Sequence, residues 1–386
     1  MSVATVTCRG RAAPPGGERA ERLRVLFALP GLHRVSRGAE IAFESVASEL
    51  AGREGVEVTL MGSGEARSDR AYRFVGVSCA VRERFERWPK VPPMRGAVVY
   101  EELSFVRGLR RVYRPADYDV TVTCAYPFTN WLLRRGKDRP AHVFVTQNGD
   151  WPPQRHSWEY KLFGCDALVC TNPEYYERHK GAYACALIPN GVDPERFRPG
   201  ARERVDIPGG GPLVLIVAAL IPSKRVVEGI RAAAGVADVR LLVVGDGPLR
   251  EEVDRAGREL LGTRFRRVVV GHADMPAIYR SADVLLHMSR DEPFGNVYIE
   301  AMACGTPVVG HETTNTTWIM GGHGILVNTS EPAHVAESIR AAVAQDSEQR
   351  RAERSRITRQ RFAWREVAKQ YEGVLREAAF KLERDR

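Results

Sequence analysis

The 386-residue sequence predicts an α/β protein of two successive Rossmann-like, doubly wound halves. Three observations predict it. From Leu23 onward, short β-rich apolar runs alternate with stretches of helical spacing, the pattern of βαβ units. Between Asp193 and Gly211 that alternation gives way to Pro, Gly and charge. A buried strand, Pro212 to Val217, then starts the pattern again. The length suits two cores of ordinary size. The expected divisions are a loose leader (1–22), a first half (23–195), a linker (196–211), a second half (212–360) and a terminal helix (361–386).

Composition narrows the function classes. Hydrophobic residues at 44% and charged residues at 27% mark a soluble globular chain rather than a disordered one. No apolar run approaches the ~20 residues that span a bilayer. The leader, with Arg9, Arg11, Pro14 and Pro15, lacks a signal-peptide apolar core. The seven cysteines are scattered without a Cys-x-x-Cys pair, as in a reduced cytoplasmic protein. A net charge of +9 is compatible with nucleic acid, an anionic membrane surface or phosphorylated substrates. No helix-turn-helix, zinc-finger or RNA-binding signature is present, so nucleic acid is not expected as a partner.

In the first half, Leu23 to Leu29 reads as a buried strand ending at Pro30-Gly31. Ala39 to Leu50 has helical spacing through Ile41, Phe43, Val46 and Leu50, and Val56 to Leu60 is a second strand. Residues 64–116 mix arginines with Tyr72, Phe74, Phe85 and Trp88 and read as a solvated excursion. Strands resume at Asp119–Thr123 and His142–Val145, with a turn and helix from Tyr126 to Arg135 between them. Asp117-x-Asp119 spells a metal-binding triplet, but preceding a strand it reads as structural. Gln147 and Asn148 follow the His142 strand, and amides there can hydrogen-bond a hydroxyl but cannot exchange protons. His142 starts its strand and reads as packed; His156 is more exposed. Ala167–Asn172 is another strand, after which Pro173 opens a helix.

In the second half, the first strand leads to Ser223-Lys224-Arg225. Leu241–Val244 runs into Gly245-Asp246-Gly247, a Gly-x-Gly without the third glycine of a dinucleotide fingerprint. Val268–Gly271 ends a strand at His272. After Val284–Met288 comes the most informative stretch, Asp291 to Gly310. Pro293 and Gly295 force a turn, Asn296 is a candidate cap, and Val297–Cys304 is helix-forming. The backbone N–H groups at that helix N-terminus favour a phosphate. Glu292 and Glu300 flank the site and suit sugar hydroxyls. Phosphate beside hydroxyl acceptors points to a phosphorylated sugar or a nucleotide-sugar. Beyond it, Thr313–Trp318 is polar and expected to face the sugar, and Arg350–Arg361 reads as a solvated basic helix face.

The run EPFGNVYIE followed by AMACGTPVV resembles the donor-site signature of the family 4 retaining glycosyltransferases, which have the GT-B fold. Gly38-Ala39-Glu40, Asn190-Gly191, Lys224 and Gly-Asp-Gly-Pro at 245–248 agree with it in order. The resemblance implies two facing Rossmann-like domains with an interdomain cleft, the last helix packing back on the first domain. It implies retaining transfer of a sugar from a nucleotide-sugar co-substrate, with no metal and no further cofactor. The acceptor stays open among glycan, lipid and small natural product, as does peripheral contact with an anionic membrane from the cytoplasmic side. By resemblance Glu292, Lys224 and Asn148 are the catalytic-site candidates. Gly38, Arg225, Gly245, His272, Phe294, Gly295, Asn296, Val297, Tyr298 and Glu300 are the donor-binding ones, with the Val297 and Tyr298 N–H groups on the diphosphate. Three departures stand out: Arg37 replaces a usual Gly, Asn148 or Gln147 a usual His, and Ala219 a usual Arg for which Arg225 is the candidate substitute. A degenerate sugar-nucleotide-binding protein and a GT-B phosphorylase remain as alternative readings.

Overall fold

The computed structural model describes residues 22–153, 158–203 and 205–384; His156 and nearly all of the expected leader lie outside them. The first half comprises β1 (Leu23–Ala28), α1 (Gly38–Ala51), β2 (Val56–Gly62), β3 (Arg73–Gly76), α2 (Ala97–Val112), β4 (Val120–Thr123), α3 (Phe128–Leu133), β5 (Ala141–Val145), β6 (Ala167–Cys170), α4 (Pro173–His179) and β7 (Cys185–Leu187). Its seven strands are all parallel, in the order β3-β2-β1-β4-β5-β6-β7. β4, β5 and β6 are buried throughout because helices cover both faces, which is why they read as continuous apolar runs.

The second half comprises β8 (Leu213–Val217), α5 (Val226–Ala234), β9 (Arg240–Val244), α6 (Arg250–Leu261), β10 (Phe265–Val268), α7 (Met275–Ser281), β11 (Val284–His287), α8 (Asn296–Ala303), β12 (Val308–His311), α9 (Thr314–Met320), β13 (Ile325–Val327), α10 (Pro332–Ala344) and α11 (Glu348–Phe362). Its six strands are also parallel, ordered β10-β9-β8-β11-β12-β13. The chain then returns to the first domain. In α12 (Trp364–Arg384), Val367, Tyr371 and Leu375 join Phe43, Val46 and Leu50 of α1 in one apolar cluster. Backbone hydrogen bonds between Val192 and both Phe362 and Trp364 fasten the return beside the interdomain connection.

Four local expectations change. The 64–116 stretch is not a solvated excursion: it forms β3 and α2, whose Phe105, Val106 and Leu109 are buried. The 196–211 linker is anchored to the second domain, because Phe197 and Ile207 are buried in that domain's core. The strand expected at Val268–Gly271 runs earlier, from Phe265, and Val269 is exposed beyond its end. The basic helix α11 is not wholly solvated: Arg354 is buried and donates to the Gly305 and His323 carbonyls. Among the described residues no helix is long and apolar enough to cross a membrane.

In each sheet the strand order reverses direction beside the first strand, between β1 and β4 and between β8 and β11. Loops at the carboxyl ends of strands on either side of such a point part company and leave a crevice. The two crevices face each other.

Candidate active site

The loops after β1, β4, β8 and β11, with α2, enclose a cavity of about 990 Å3 between the domains. Its second-domain wall is the loop from His287 to Val297 together with Val217–Lys224. The loop is tightly determined. Gly295 takes φ +93°, and a Cβ there would stand 2.6 Å from the Tyr298 ring, so only glycine fits. Behind it, Asn315 Nδ2 donates to the Glu292 and Phe294 carbonyls, each at 3.1 Å. Phe294 turns its ring into the core against Trp318 and Phe362.

Glu292 is the electrostatic centre of this wall. Its Oε1 accepts from Lys224 Nζ and, at 2.7 Å, pairs with His287 Nε2. Burial alone would raise this carboxyl, but the His287 hydrogen bond and the Lys224 ammonium outweigh it and hold the pKa down at about 2. The acid is therefore ionised at neutral pH. α8 starts beside it with no side-chain cap, so its dipole and first N–H groups face the cleft. Two refinements follow. Asn296 is the first helical residue rather than the cap, and its Oδ1 accepts from Asn190 Nδ2 at 2.8 Å. The Tyr298 N–H donates to the Gly295 carbonyl at 3.0 Å and so is not free for a phosphate.

Glu300, one turn on, opens onto a neighbouring cavity of about 390 Å3 that meets the larger one at Asn296. Its Oε2 accepts from Tyr279 at 2.7 Å. His272 Nε2 lies 3.6 Å from Glu300 Oε1, too far for a hydrogen bond, and is otherwise unpartnered among the described residues. His272 and Glu300 thus sit together beside the smaller cavity. Gly245 does not: a Cβ on it would fall 1.9 Å from the Ala218 carbonyl, so its role is close backbone packing. Arg225 is also corrected. Its backbone is left-handed at φ +51°, and its guanidinium reaches the Thr329 hydroxyl at 3.0 Å and the Met288 and Thr329 carbonyls, outside the cleft. It does not stand in for a cation at Ala219. The Thr313–Trp318 segment likewise supports the loop from behind instead of lining the cavity.

The first-domain wall carries Arg37, Gly38 and Glu40 from the start of α1, Glu101 and Glu102 from α2, and Asn148. Gly38 lies close to α8, with a Cβ there only 3.5 Å from Asn296 Nδ2. Glu101 is buried and gathers Arg34 and Arg82, with Arg37 looser at 4.0 Å. Glu102 accepts from the Thr129 N–H at 2.7 Å, yet burial pushes its carboxyl up to about 7. Asn148 Nδ2 lies 3.5 Å from the Cys124 carbonyl. Beside it a relay of amides, Gln147 to Asn190 to Asn296, crosses from one domain to the other. Tyr126, Trp151 and Tyr160 form an aromatic flank. His142 is remote from the cleft, buried between Thr121 and Asn130, with its pKa lowered to about 3 by burial. Asp119 pairs with Arg24 at the opposite end of the sheet, as a structural reading of that triplet requires.

His287, Asn190 and the Glu101 cluster were not expected from the sequence as parts of the site. His287 had a readable signal, a polar residue ending an apolar strand five positions before Glu292. The others carry none, because each acts on a partner distant in sequence.

Comparison with known proteins agrees with this geometry. Residues 36–196 match the model of Glycosyltransferase Family 4, and residues 211–345 that of Glycosyl transferases group 1. A lipopolysaccharide core biosynthesis glycosyltransferase of Rhizobium meliloti (strain 1021) is 27% identical over 208 residues, 53% of this chain and 60% of that protein. A GDP-mannose-dependent alpha-(1-6)-phosphatidylinositol dimannoside mannosyltransferase of Mycobacterium tuberculosis (strain ATCC 25177 / H37Ra) is 30% identical over 217 residues, 53% of this chain and 55% of its own length. The chain thus spans little more than half the length of these curated relatives. The fold resembles sucrose-phosphate synthase from Thermosynechococcus elongatus, with a TM-score of 0.74 at 21% identity over 92% of this chain and 99% of that one. With one family model on each parallel-sheet domain and the Glu292–Glu300 loop in the cleft between them, the chain belongs to the group 1, family 4 glycosyltransferases of GT-B fold.

Proposed function

We propose that the chain moves a glycosyl group from a nucleotide-sugar to an acceptor hydroxyl with retention at the anomeric carbon. The observation that carries the reading is the Lys224–Glu292–His287 cluster beside the uncapped start of α8, inside a cleft closed by a second domain. Lys224 and the N–H groups of Asn296 and Val297 bind the diphosphate, where negative charge grows as the sugar leaves. Glu300 and the His272 loop take the ribose and base. Glu292, held ionised, accepts hydrogen bonds from the sugar hydroxyls and orients the ring.

In the step itself, the bond between the anomeric carbon and the phosphate oxygen breaks through an oxocarbenium-like state. The acceptor oxygen bonds to that carbon on the same face, and its proton passes to the departing phosphate. On the front-side path that the family resemblance implies, Glu292 positions the sugar rather than attacking it, with its Oε1 held by Lys224 and His287. Cationic side chains and a helix N-terminus perform the charge neutralisation that a metal performs in other transferases. The curated relatives act on different acceptors, so the acceptor is left as a hydroxyl compound that fits between α2 and the aromatic flank.

A second reading, a sugar-nucleotide-binding protein without turnover, draws on one observation: Ala219 and the averted Arg225 leave Lys224 as the lone Lys or Arg that the second domain contributes to the described lining of the large cavity. A thermal-shift screen over UDP-, GDP-, ADP- and TDP-sugars identifies the donor, since a ligand of the native state raises its melting temperature. Hydrolysis or transfer of the stabilising donor, without added phosphate, separates the transferase from both the binding protein and a phosphorylase. No stabilisation by any of the four sinks the donor assignment.

A further inference from the structure

We infer that Arg37, carried by the first domain, is a ligand of the donor's diphosphate and supplies from across the cleft charge that the second-domain wall lacks. The inference rests on the nucleotide-sugar reading above.

A diphosphate carries charge on each phosphoryl group, and a site for it normally collects more than one cation. Among the described residues that line the large cavity, the second domain contributes Lys224 as its one Lys or Arg. Lys224 is already shared with Glu292, and Arg225 is bound to Thr329 and Met288. The remaining charge has to come from the facing wall, which offers Arg37, Arg82 and Arg95. Arg82 is committed: its Nε and Nη2 lie 2.9 and 2.8 Å from the buried Glu101 carboxylate. Arg95 is committed too, 2.7 Å from Glu159. Arg37 is held most loosely of the three, since its approach to Glu101 is 4.0 Å, beyond hydrogen-bond distance. Its side chain is 36% exposed.

Position agrees with availability. Arg37 immediately precedes α1, whose N-terminus has no side-chain cap. The first residue of α1, Gly38, nearly touches Asn296, the first residue of α8, which is uncapped in the same way. Two helix N-termini therefore face one another across the cleft, with Arg37 at the junction. An anion there meets both helix dipoles and a planar guanidinium able to grip two phosphate oxygens at once. Because Arg37 and Lys224 belong to different domains, the diphosphate joins the two halves.

Isothermal titration of UDP, GDP, ADP and TDP against the full chain identifies the nucleotide that binds. Its affinity is then compared among the wild type, Arg37→Ala and Arg37→Lys, with the parent nucleoside as a probe lacking phosphate. We expect Arg37→Ala to weaken the diphosphate by about tenfold or more, the worth of a charged hydrogen-bonded pair. Nucleoside binding stays as in the wild type, and Arg37→Lys recovers part of the loss. Melting temperatures within a degree or so of the wild type confirm that the variants are folded. Equal diphosphate affinity in wild type and Arg37→Ala overturns the inference and leaves the nucleotide-sugar reading standing. A wild type that binds none of the four nucleotides overturns that reading instead.

Discussion

Glu292 and Glu102 face the same cavity from opposite domains, and both are almost sealed from water. Their side chains nevertheless behave in opposite ways. Glu292 has cationic and hydrogen-bonding partners, Lys224 and His287, and is held ionised with its pKa near 2. Glu102 has the Thr129 backbone N–H and, among the described residues, no cation paired with it, and burial carries it up to about 7. Burial raises both carboxyls, and the partners decide whether that shift is overcome. One wall is permanently charged and suited to gripping a polar donor. On the facing wall, Glu102 can change its charge within the physiological range.

Breaking the charged side has the largest expected effect. Glu292→Gln keeps the shape but removes the carboxylate from Lys224 and from the sugar. We expect turnover to fall by roughly 10²–10³-fold, the range found when a preorganised polar group is lost from an active site. A steady-state assay with the stabilising donor checks it, and wild-type turnover would refute the assignment of Glu292.

The second test addresses Glu102 through pH. Its folded-state pKa is raised, so the stability associated with its protonated form is fully present below about 4.5 and is lost as pH rises through about 7. Glu102→Gln keeps the acceptor for Thr129 and cannot ionise. The variant should gain on the wild type between those limits, by at most about 3 kcal/mol. Urea unfolding at pH 5 and pH 8 measures the gap; an equal gap at both would mean that Glu102 titrates normally. Glu292 has the opposite sign. Its lowered pKa contributes stability above pH 4.5 that is lost as pH falls toward 2.

Smaller effects sharpen the picture of how Glu292 is held. His287→Ala leaves Lys224 as the partner on Oε1, and we expect about a tenfold fall in kcat with a smaller change in the donor KM. An unchanged kcat would show that Lys224 alone orients the carboxylate. Asn315→Ala removes the two hydrogen bonds that pin the Glu292–Phe294 backbone and should cost about 1–2 kcal/mol in chemical denaturation.

The two walls also differ in how legible they are. The donor side was readable because its parts are neighbours in sequence. A strand, a Pro/Gly turn, a carboxylate and a helix start lie within Val284 to Glu300. Turn chemistry and helix-end rules act over such distances. The errors on that side concern direction rather than location. Arg225 sits beside Lys224 in the chain, but its left-handed backbone turns the guanidinium toward Thr329. Asn296 is at the helix start, but Asn190 captures its side chain. The Tyr298 N–H is consumed by the turn that Gly295 creates.

The opposite wall has no such stretch. Glu101 meets Arg34, 67 positions away, and Arg82; Glu102 meets Thr129; Tyr126 meets Trp151 and Tyr160. Each pairing depends on how α2 and the β4 and β5 loops pack.

By itself, the sequence determined the alternation of buried strands and helices, the break between two α/β halves, and the Glu292–Glu300 loop leading into a helix start. These follow from apolar periodicity and turn residues, which act between near neighbours. Only the tertiary structure decided which cations face the cleft, which glutamate stays ionised, and that the first and second domains bring two helix N-termini together at Gly38 and Asn296. Those outcomes depend on burial and on partners brought from distant parts of the chain, quantities that exist only once the two sheets have packed.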